Sequence, residues 1–235
     1  MKKCIPDKTT PLVDYPPKVE AANFVTHLAA AAASVPAGIV MLRRAAKSGD
    51  RARTVSAAMF SAAMTAVYTV SAVYHGLKPG RAKASARRLD HMTVPLLIGG
   101  TAAPCSLVTL RAVSPARGRF VFLTSQATVL SGALSKLFFF NSKAFKTLTY
   151  VLYIGGGAAM LCQSIPVRKR VTKEGVRLLW IGSAMYLAGA GIMAAGRKYP
   201  ALHPVFHIVT AAASAAHWGA IYKHIIRDKD DVAEA

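Results

Sequence analysis

The sequence predicts an all-α integral membrane protein, a bundle of seven transmembrane helices. The first observation is the composition: the 235-residue chain is 53% hydrophobic and only 17% charged, whereas globular domains carry about 25% charge. The second is that charge is absent in blocks, which leaves uncharged runs at 21–42, 54–77, 91–110, 120–135, 147–167, 178–196 and 199–222. A membrane-spanning helix needs about 20 mostly apolar residues, so every run except the fourth is long enough unaided.

The fourth run continues past Lys136 into the apolar residues 137–140. A lysine at that depth can extend along its apolar stem to the headgroups, so we count this run as a span. The alternative is a soluble, alanine-rich helical bundle. Buried helices of soluble proteins show a polar stripe at helical periodicity, whereas these runs are apolar all round. Small residues such as Gly182 and Gly189 are typical of close contacts between membrane helices.

The domain organisation and the charge follow from the same runs. We expect a short N-terminal tail at 1–20, the membrane domain at 21–222 and a charged C-terminal tail at 223–235. The net charge is +20, but the basic residues fall in short loops between spans, so we exclude nucleic acid and expect membrane lipids as partners. The 3 cysteines are widely spaced, which excludes a disulfide framework and a cysteine zinc ribbon. The oligomeric state stays open.

The seven-span topology predicts which helix ends share one side of the membrane. Lys and Arg divide 14 against 16 between the two sides, so the positive-inside rule leaves the orientation undetermined. In either orientation one side collects most of the unusual polar residues: Glu20, Asn23, His27, Ser71, His75, Asp90, His91, His203 and His207. Ionisable groups at membrane depth are unfavourable, so their clustering predicts a functional site. His217 lies about 15 Å further along the last span than His207, so we assign it to helix packing.

Helical spacing sharpens this prediction. His203 and His207 are four residues apart, so both imidazoles leave one face of the last span, as two ligands of a single metal ion require. An HxxxH pair taken alone is more often two unrelated polar residues near a helix end. Pro204 between them is tolerated in the first turn of a helix, but it bends the approach to His203. Ser71 and His75 repeat the four-residue spacing on span two.

The acidic residues of this side have structural alternatives. Asp90 can be a helix N-cap or the salt-bridge partner of a neighbouring arginine, and an acid at Glu20 can stabilise a helix start through the helix dipole. Glu20 shares one helical stripe with Asn23 and His27. His91 points about 100° away from Asp90 around the helix, so we expect it to lie behind the ligands or to be interfacial rather than to be a ligand.

These motifs resemble those of the hemolysin III and progestin and adipoQ receptor (PAQR) family of seven-span membrane proteins. EAANFVTH at 20–27 is similar to that family's ExxNxxTH. SAVYH at 71–75 and LDHMTVPLLIGGTAAP at 89–104 are similar to SxxYH and LDxxxxxxLIxGTxxP, and HPVFHIVTAAASAAHWGA at 203–220 is similar to its HxxxH segment. The segments follow the family order on spans one, two, three and seven. The short N-terminal tail resembles the hemolysin III branch.

The resemblance implies a Zn²⁺ ion held by His75, His203 and His207 near the cytoplasmic leaflet, with the N-terminus cytoplasmic; the expected location is the plasma membrane. It also implies that Asp90 contacts the water coordinated by zinc and that Ser71 lies behind it, and we take these two as the catalytic residues. Further polar residues surround the ligands: Glu20, Asn23 and His27.

Family members include receptors and hydrolases related to alkaline ceramidases. Three imidazoles and an open position are typical of catalytic zinc, so the first hypothesis is a zinc-dependent hydrolase of a lipid amide or ester, with a sphingolipid such as ceramide as substrate. Asp90 would transfer the proton of the attacking water. The alternatives are a receptor or scaffold in which zinc only ties spans two, three and seven together and, with less support, a membrane-lytic hemolysin.

Overall fold

A computed structural model describes residues 12–145, 147, 148, 151, 155, 168 and 170–226, and within these ranges the chain is helical without any strand. This confirms the all-α class. The long helices are α1 (Pro17–Lys47), α2 (Arg51–Gly76), α3 (Arg81–Pro104), α4 (Pro115–Phe138), α5 (Lys173–Ala195) and α6 (Leu202–Ala220). The predicted span at 147–167 falls almost entirely outside the described residues.

Not every predicted span has the apolar character of a membrane crossing. In the described part of the chain, 4 helical stretches are long and apolar enough to cross a membrane: Pro17–Lys47, Arg51–Gly76, Arg81–Val113 and Lys173–Ala195. Helices α4 and α6 form where the fourth and seventh spans were predicted, but neither is among these 4 stretches. Polar residues within them include Gln126 and Lys136 in α4 and three histidines in α6.

Short connections set the helix order. Helix α1 packs against α2, α2 against α3 and α3 against α4, while α5 packs against α6 and α6 returns to α1. The turn between α1 and α2 uses Gly49 at φ +67°, a left-handed conformation that favours glycine. Asp50 then caps α2 by accepting a 2.8 Å hydrogen bond from the Ala52 N–H. The end of α2 and the start of α3 therefore lie at the same end of the bundle as the start of α1.

The third helix changes its winding in its second half. It continues from α3 through a π-helical segment, Cys105–Leu110, into the α-helical turn Arg111–Val113. Pro104, which has no N–H to donate, immediately precedes the π-helical segment. Such widened turns are typical of places where the regular hydrogen-bond ladder is interrupted.

The predicted small-residue contacts are confirmed between α5 and α6. A Cβ atom on Gly182 would lie 2.3 Å from His217 Cδ2, and one on Gly189 would lie 3.2 Å from Thr210 Cγ2. His217 donates from Nε2 to the Leu179 carbonyl oxygen at 3.1 Å. The predicted packing role of His217 is therefore confirmed, and α5 holds the helix that carries two of the candidate ligands.

Candidate metal centre

Three histidines meet at one end of the bundle. His75 comes from the last turn of α2, and His203 and His207 come from the first two turns of α6. One ring nitrogen of each lies within 4.8 Å of the others. Because zinc binds imidazole nitrogen at about 2.0–2.1 Å, small ring movements suffice for one ion to contact all of them. The convergence predicted from the sequence is therefore confirmed, and His75 and His207 are buried there.

The proline between the two histidines of α6 does not separate them. Helix α6 begins at Leu202, so Pro204 lies in its first turn. Backbone N–H groups in a first turn have no intrahelical acceptor, so the proline costs the helix no hydrogen bond. The His203 N–H donates to the Pro200 carbonyl oxygen at 3.0 Å and closes the turn before the helix. The ring centroids of His203 and His207 stand 4.7 Å apart.

The hydrogen bonds of His75 leave one of its ring nitrogens available. Its Nδ1 atom lies 2.9 Å from Glu20 Oε2. An ionised carboxylate only accepts, so Nδ1 carries a proton, and in the neutral ring Nε2 has the lone pair. That Nε2 atom is buried without a hydrogen-bond partner. A buried lone pair beside two further imidazoles fits a cation such as Zn²⁺, because an unpaired buried acceptor is otherwise unfavourable.

His207 is oriented by α1 in the same way. Its Nδ1 atom lies 3.3 Å from the Asn23 carbonyl oxygen and 3.2 Å from Thr26 Oγ1. The carbonyl only accepts, so Nδ1 donates and Nε2 retains the lone pair. His27 stacks on His207 with the ring centroids 3.6 Å apart and the planes at 12°. Both nitrogens of His27 are buried without hydrogen-bond partners, so this predicted neighbour supports a ligand by its ring face.

Asp90 and Ser71 lie together beside the triad. Ser71 lies one helical turn before His75 on α2, and its hydroxyl donates a hydrogen bond to the Asp90 carboxylate. Asp90 lies well inside α3, which begins at Arg81, so the N-cap alternative is excluded. His91 instead places its ring centroid 5.2 Å from that of Phe140. The structure thus places His91 against an aromatic ring, and its role stays a prediction.

Two residues of the site carry no sequence signal. Tyr15, just before α1, places its ring 4.9 Å from that of His203 and 5.9 Å from that of His75. Burial raises the pKa of the Tyr15 phenol to about 12, against the partial opposition of Arg87, so the hydroxyl stays protonated at neutral pH. Lys83, in the first turn of α3, is buried and forms an ion pair with Glu20. Neither belongs to a motif or a helical stripe.

Comparison with known proteins points to one family. A family model described as "Haemolysin-III related" matches residues 17–218. The chain is similar to Hemolysin-3 of Bacillus cereus, with 29% identity over 198 residues, covering 84% of this chain and 88% of the relative. It is 28% identical to the Hemolysin-3 homolog of Bacillus subtilis (strain 168) over 199 residues, covering 85% and 91%.

A human relative is also similar across most of its length. The Monocyte to macrophage differentiation factor of Homo sapiens is 25% identical over 223 residues, covering 90% of this chain and 86% of the relative. The segment matched by the family model contains every residue of the candidate metal centre except Tyr15, which precedes it.

Proposed function

This chain belongs to the haemolysin-III related family of membrane proteins, and on that basis we propose that it is a multi-pass hydrolase with one Zn²⁺ ion on His75, His203 and His207. The proposed substrates are lipid amides and esters, with ceramide as the first to test. The observation that supports the proposal most directly is the buried, unpartnered Nε2 of His75 beside two further imidazoles.

The donor set favours zinc. Imidazole nitrogen suits Zn²⁺, and three neutral imidazoles leave a further coordination position for water or substrate. Thiolate ligands are absent from the group, since Cys105, the one cysteine among the described residues, is buried in α3's π-helical extension. The Asp90 carboxylate nearby supplies negative charge where a divalent cation would otherwise stand among neutral ligands, and the Glu20 carboxylate orients His75.

The chemistry follows from the residues around the triad. When bound, zinc supplies Lewis acidity, which polarises a carbonyl group and makes water nucleophilic near neutral pH. The Asp90 carboxylate accepts a proton from the attacking water and delivers it to the leaving amine or alcohol. The Ser71 hydroxyl donates to Asp90 and holds it in place. Tyr15 lies against the half-buried His203 and limits the access of bulk water.

A lipid substrate fits the surface beside the triad. Val25 and Leu28 on α1 are 58% and 48% exposed, and Ile208 on α6, next to His207, is 57% exposed. Apolar side chains on this outer surface contact lipid tails favourably, whereas they would be unfavourable in water. A lipid can therefore lie along α1 and α6 with its polar amide or ester at the depth of the histidines.

We further propose seven spans, with the N-terminus cytoplasmic and the plasma membrane as the location. The ring of Phe140 contacts that of His91, which follows Asp90 in the middle of α3, at the level of the triad. Arg170 donates to the Ala112 carbonyl oxygen at 3.5 Å, at the opposite end. A chain that passes from one end to the other crosses an odd number of times, and the uncharged run 147–167 has the length for one crossing.

The proposal is tested on purified protein in lipid vesicles that contain ceramide. We expect one zinc per chain by atomic spectroscopy, lost in His75→Ala and His207→Ala, and we expect Asp90→Asn to keep zinc but lose hydrolysis. His91→Ala, at the residue that follows Asp90 in α3, is the matched control, and it should keep both zinc and hydrolysis. Turnover that survives in His75→Ala, His207→Ala and Asp90→Asn would overturn the proposal.

One observation favours a second candidate, a receptor or scaffold with structural zinc. The three imidazoles come from α2 and α6, so a bound ion would cross-link these helices and contribute to folding. In that case the histidine variants lose stability, while Asp90→Asn remains functional in signalling. The name of the Bacillus cereus relative, Hemolysin-3, adds a liposome leakage assay as a third measurement. Leakage without hydrolysis would favour a lytic protein.

A further inference from the structure

We propose that Lys83 is a positioning residue of the metal centre, which acts through Glu20 to fix the ring of His75 and thereby sets the metal affinity. The inference rests on the proposed zinc site. It adds a residue from α3 to a site whose ligands come from α2 and α6 and whose known hydrogen-bond partners come from α1.

The Glu20 carboxylate bridges two partners, one on each oxygen. Oε2 accepts a hydrogen bond from His75 Nδ1 at 2.9 Å. Oε1 accepts from the Lys83 ammonium, with which it forms an ion pair. The Asn23 side-chain amide donates a longer bond, 3.5 Å, to Oε2. Both oxygens are therefore engaged, and neither can rotate without breaking a charge-assisted contact.

The Lys83 ammonium is committed to this position. Its side chain is only 4% exposed, and among the described residues it is the one lysine or arginine that is buried. Besides Glu20, it donates to the Leu77 carbonyl oxygen at 2.9 Å and lies 5.0 Å from the centre of the Tyr74 ring. A buried ammonium is strongly unfavourable unless it is paired and hydrogen-bonded. These contacts meet that requirement.

Arg81, two residues earlier in the same helical turn, is exposed, so a basic side chain in this turn can reach solvent. The Lys83 side chain instead connects three helices. It extends from α3, donates to the carbonyl oxygen of Leu77, which directly follows α2, and pairs with Glu20 of α1. Removing the ammonium frees Oε1 and lets the carboxylate turn away from His75 Nδ1. The ring of His75 then loses its fixed orientation, and with it the fixed position of the Nε2 lone pair.

The expected size of the effect follows from what orienting partners do at metal sites. Losing a partner that holds a histidine ligand lowers metal affinity by about 10–100-fold. Lys83 acts one contact further away than Glu20, so we expect Lys83→Met to weaken zinc binding by about 10-fold. Lys83→Arg should recover part of the loss, because a guanidinium also donates to a carboxylate.

The test uses the full chain in detergent and does not depend on turnover. Zinc affinity is measured by competition with a chelator, and the ligand geometry is followed by the visible absorption of the Co²⁺-substituted protein. The matched control is Arg81→Met, which removes an exposed positive charge from the same turn. We expect weaker zinc binding and an altered Co²⁺ spectrum for Lys83→Met, partial recovery for Lys83→Arg, and no change for Arg81→Met.

The outcomes separate this inference from the zinc site itself. A wild-type chain that binds no more metal than His75→Ala would overturn the proposed function. A wild-type chain that binds one ion, with Lys83→Met equal to Arg81→Met in affinity and spectrum, would overturn the role of Lys83 alone. If Lys83→Met does not fold, Lys83→Gln is measured in its place. Its amide can still donate to Leu77 but lacks the positive charge that pairs with Glu20, so a zinc affinity and Co²⁺ spectrum equal to those of the wild type also reject the inference.

Discussion

The contact between Gly182 and His217 allows a sharp prediction about the packing of α5 on α6. In Gly182→Ala the new Cβ would lie 2.3 Å from His217 Cδ2, 2.6 Å from Nε2 and 3.0 Å from the Ala213 carbonyl oxygen. Carbon atoms in favourable contact stand about 3.5–4.0 Å apart. The imidazole must therefore retreat by about 1 Å or more, and the helices must separate if the ring cannot.

The magnitude combines three effects. Overpacking a tight contact is unfavourable by about 1–3 kcal/mol. A retreat of the ring also breaks the 3.1 Å hydrogen bond from His217 Nε2 to the Leu179 carbonyl oxygen, and a buried donor left unpaired is unfavourable by about 1–3 kcal/mol. The higher helix propensity of alanine over glycine stabilises the variant by about 1 kcal/mol and so offsets part of this loss. We expect Gly182→Ala to destabilise the fold by about 1–5 kcal/mol.

The assay is thermal unfolding of purified protein in one detergent, with the double variant Gly182→Ala/His217→Ala as the coupling test. Gly191→Ala on the same helix is the matched control, since a Cβ there meets nothing within 4 Å. It should be neutral or slightly stabilising. Truncating His217 should relieve most of the Gly182→Ala penalty, because the clash partner is gone. If Gly182→Ala and Gly191→Ala unfold alike, the reasoning from close contact is wrong.

Three further predictions concern the metal centre. Removing zinc with a chelator should lower the thermal stability, and restoring zinc should reverse the loss. At a free zinc concentration of about one hundred times Kd, the gain in the free energy of unfolding should be about 2.7 kcal/mol. His27→Phe should keep the zinc affinity of the wild type because it keeps a ring stacked on His207. His27→Ala should weaken zinc binding by about 0.5–1.5 kcal/mol, measured by chelator competition. If His27→Ala binds zinc as tightly as His27→Phe, the stacked ring does not support the site. The Tyr15 phenol, whose pKa is raised from 10.0 to about 12, contributes stability that is complete below pH 10 and is lost as the pH rises through about 12. Phenolate absorbance compared with Tyr15→Phe checks this, and titration near pH 10 would contradict it.

Part of the site could be predicted because helix geometry is regular. The four-residue spacing of His203 and His207 places both rings on one helix face, and the alternation of spans brings His75 to the same end. Glu20 could be placed beside them for the same reason. The convergence of the three histidines is confirmed, while their role as zinc ligands stays a prediction. The N-cap alternative for Asp90 was wrong because the helix begins earlier than the apolar run, at Arg81.

The rest of the site depends on tertiary contacts that no periodicity encodes. Lys83 lies in a basic segment whose sequence is typical of a solvated loop. In the structure it is buried, because the Glu20 carboxylate of α1 lies close enough to pair with its ammonium. Tyr15 lies in the predicted tail, and its contact with His203 depends on the path of the chain before Pro17. The first helix begins at Pro17 rather than at residue 21, because proline is favoured in a first helical turn.

Helix α1 supplies none of the three imidazoles, yet it supplies the oxygen atoms that orient two of them, through Glu20 to His75 and through the Asn23 carbonyl to His207. A small sliding or rotation of this one helix would therefore disturb both ligands together. We therefore expect that a change in bilayer thickness, detergent or lipid composition that shifts α1 would alter the affinity for the proposed zinc ion without contact with any ligand. Zinc retention would then report the position of the first helix in its membrane.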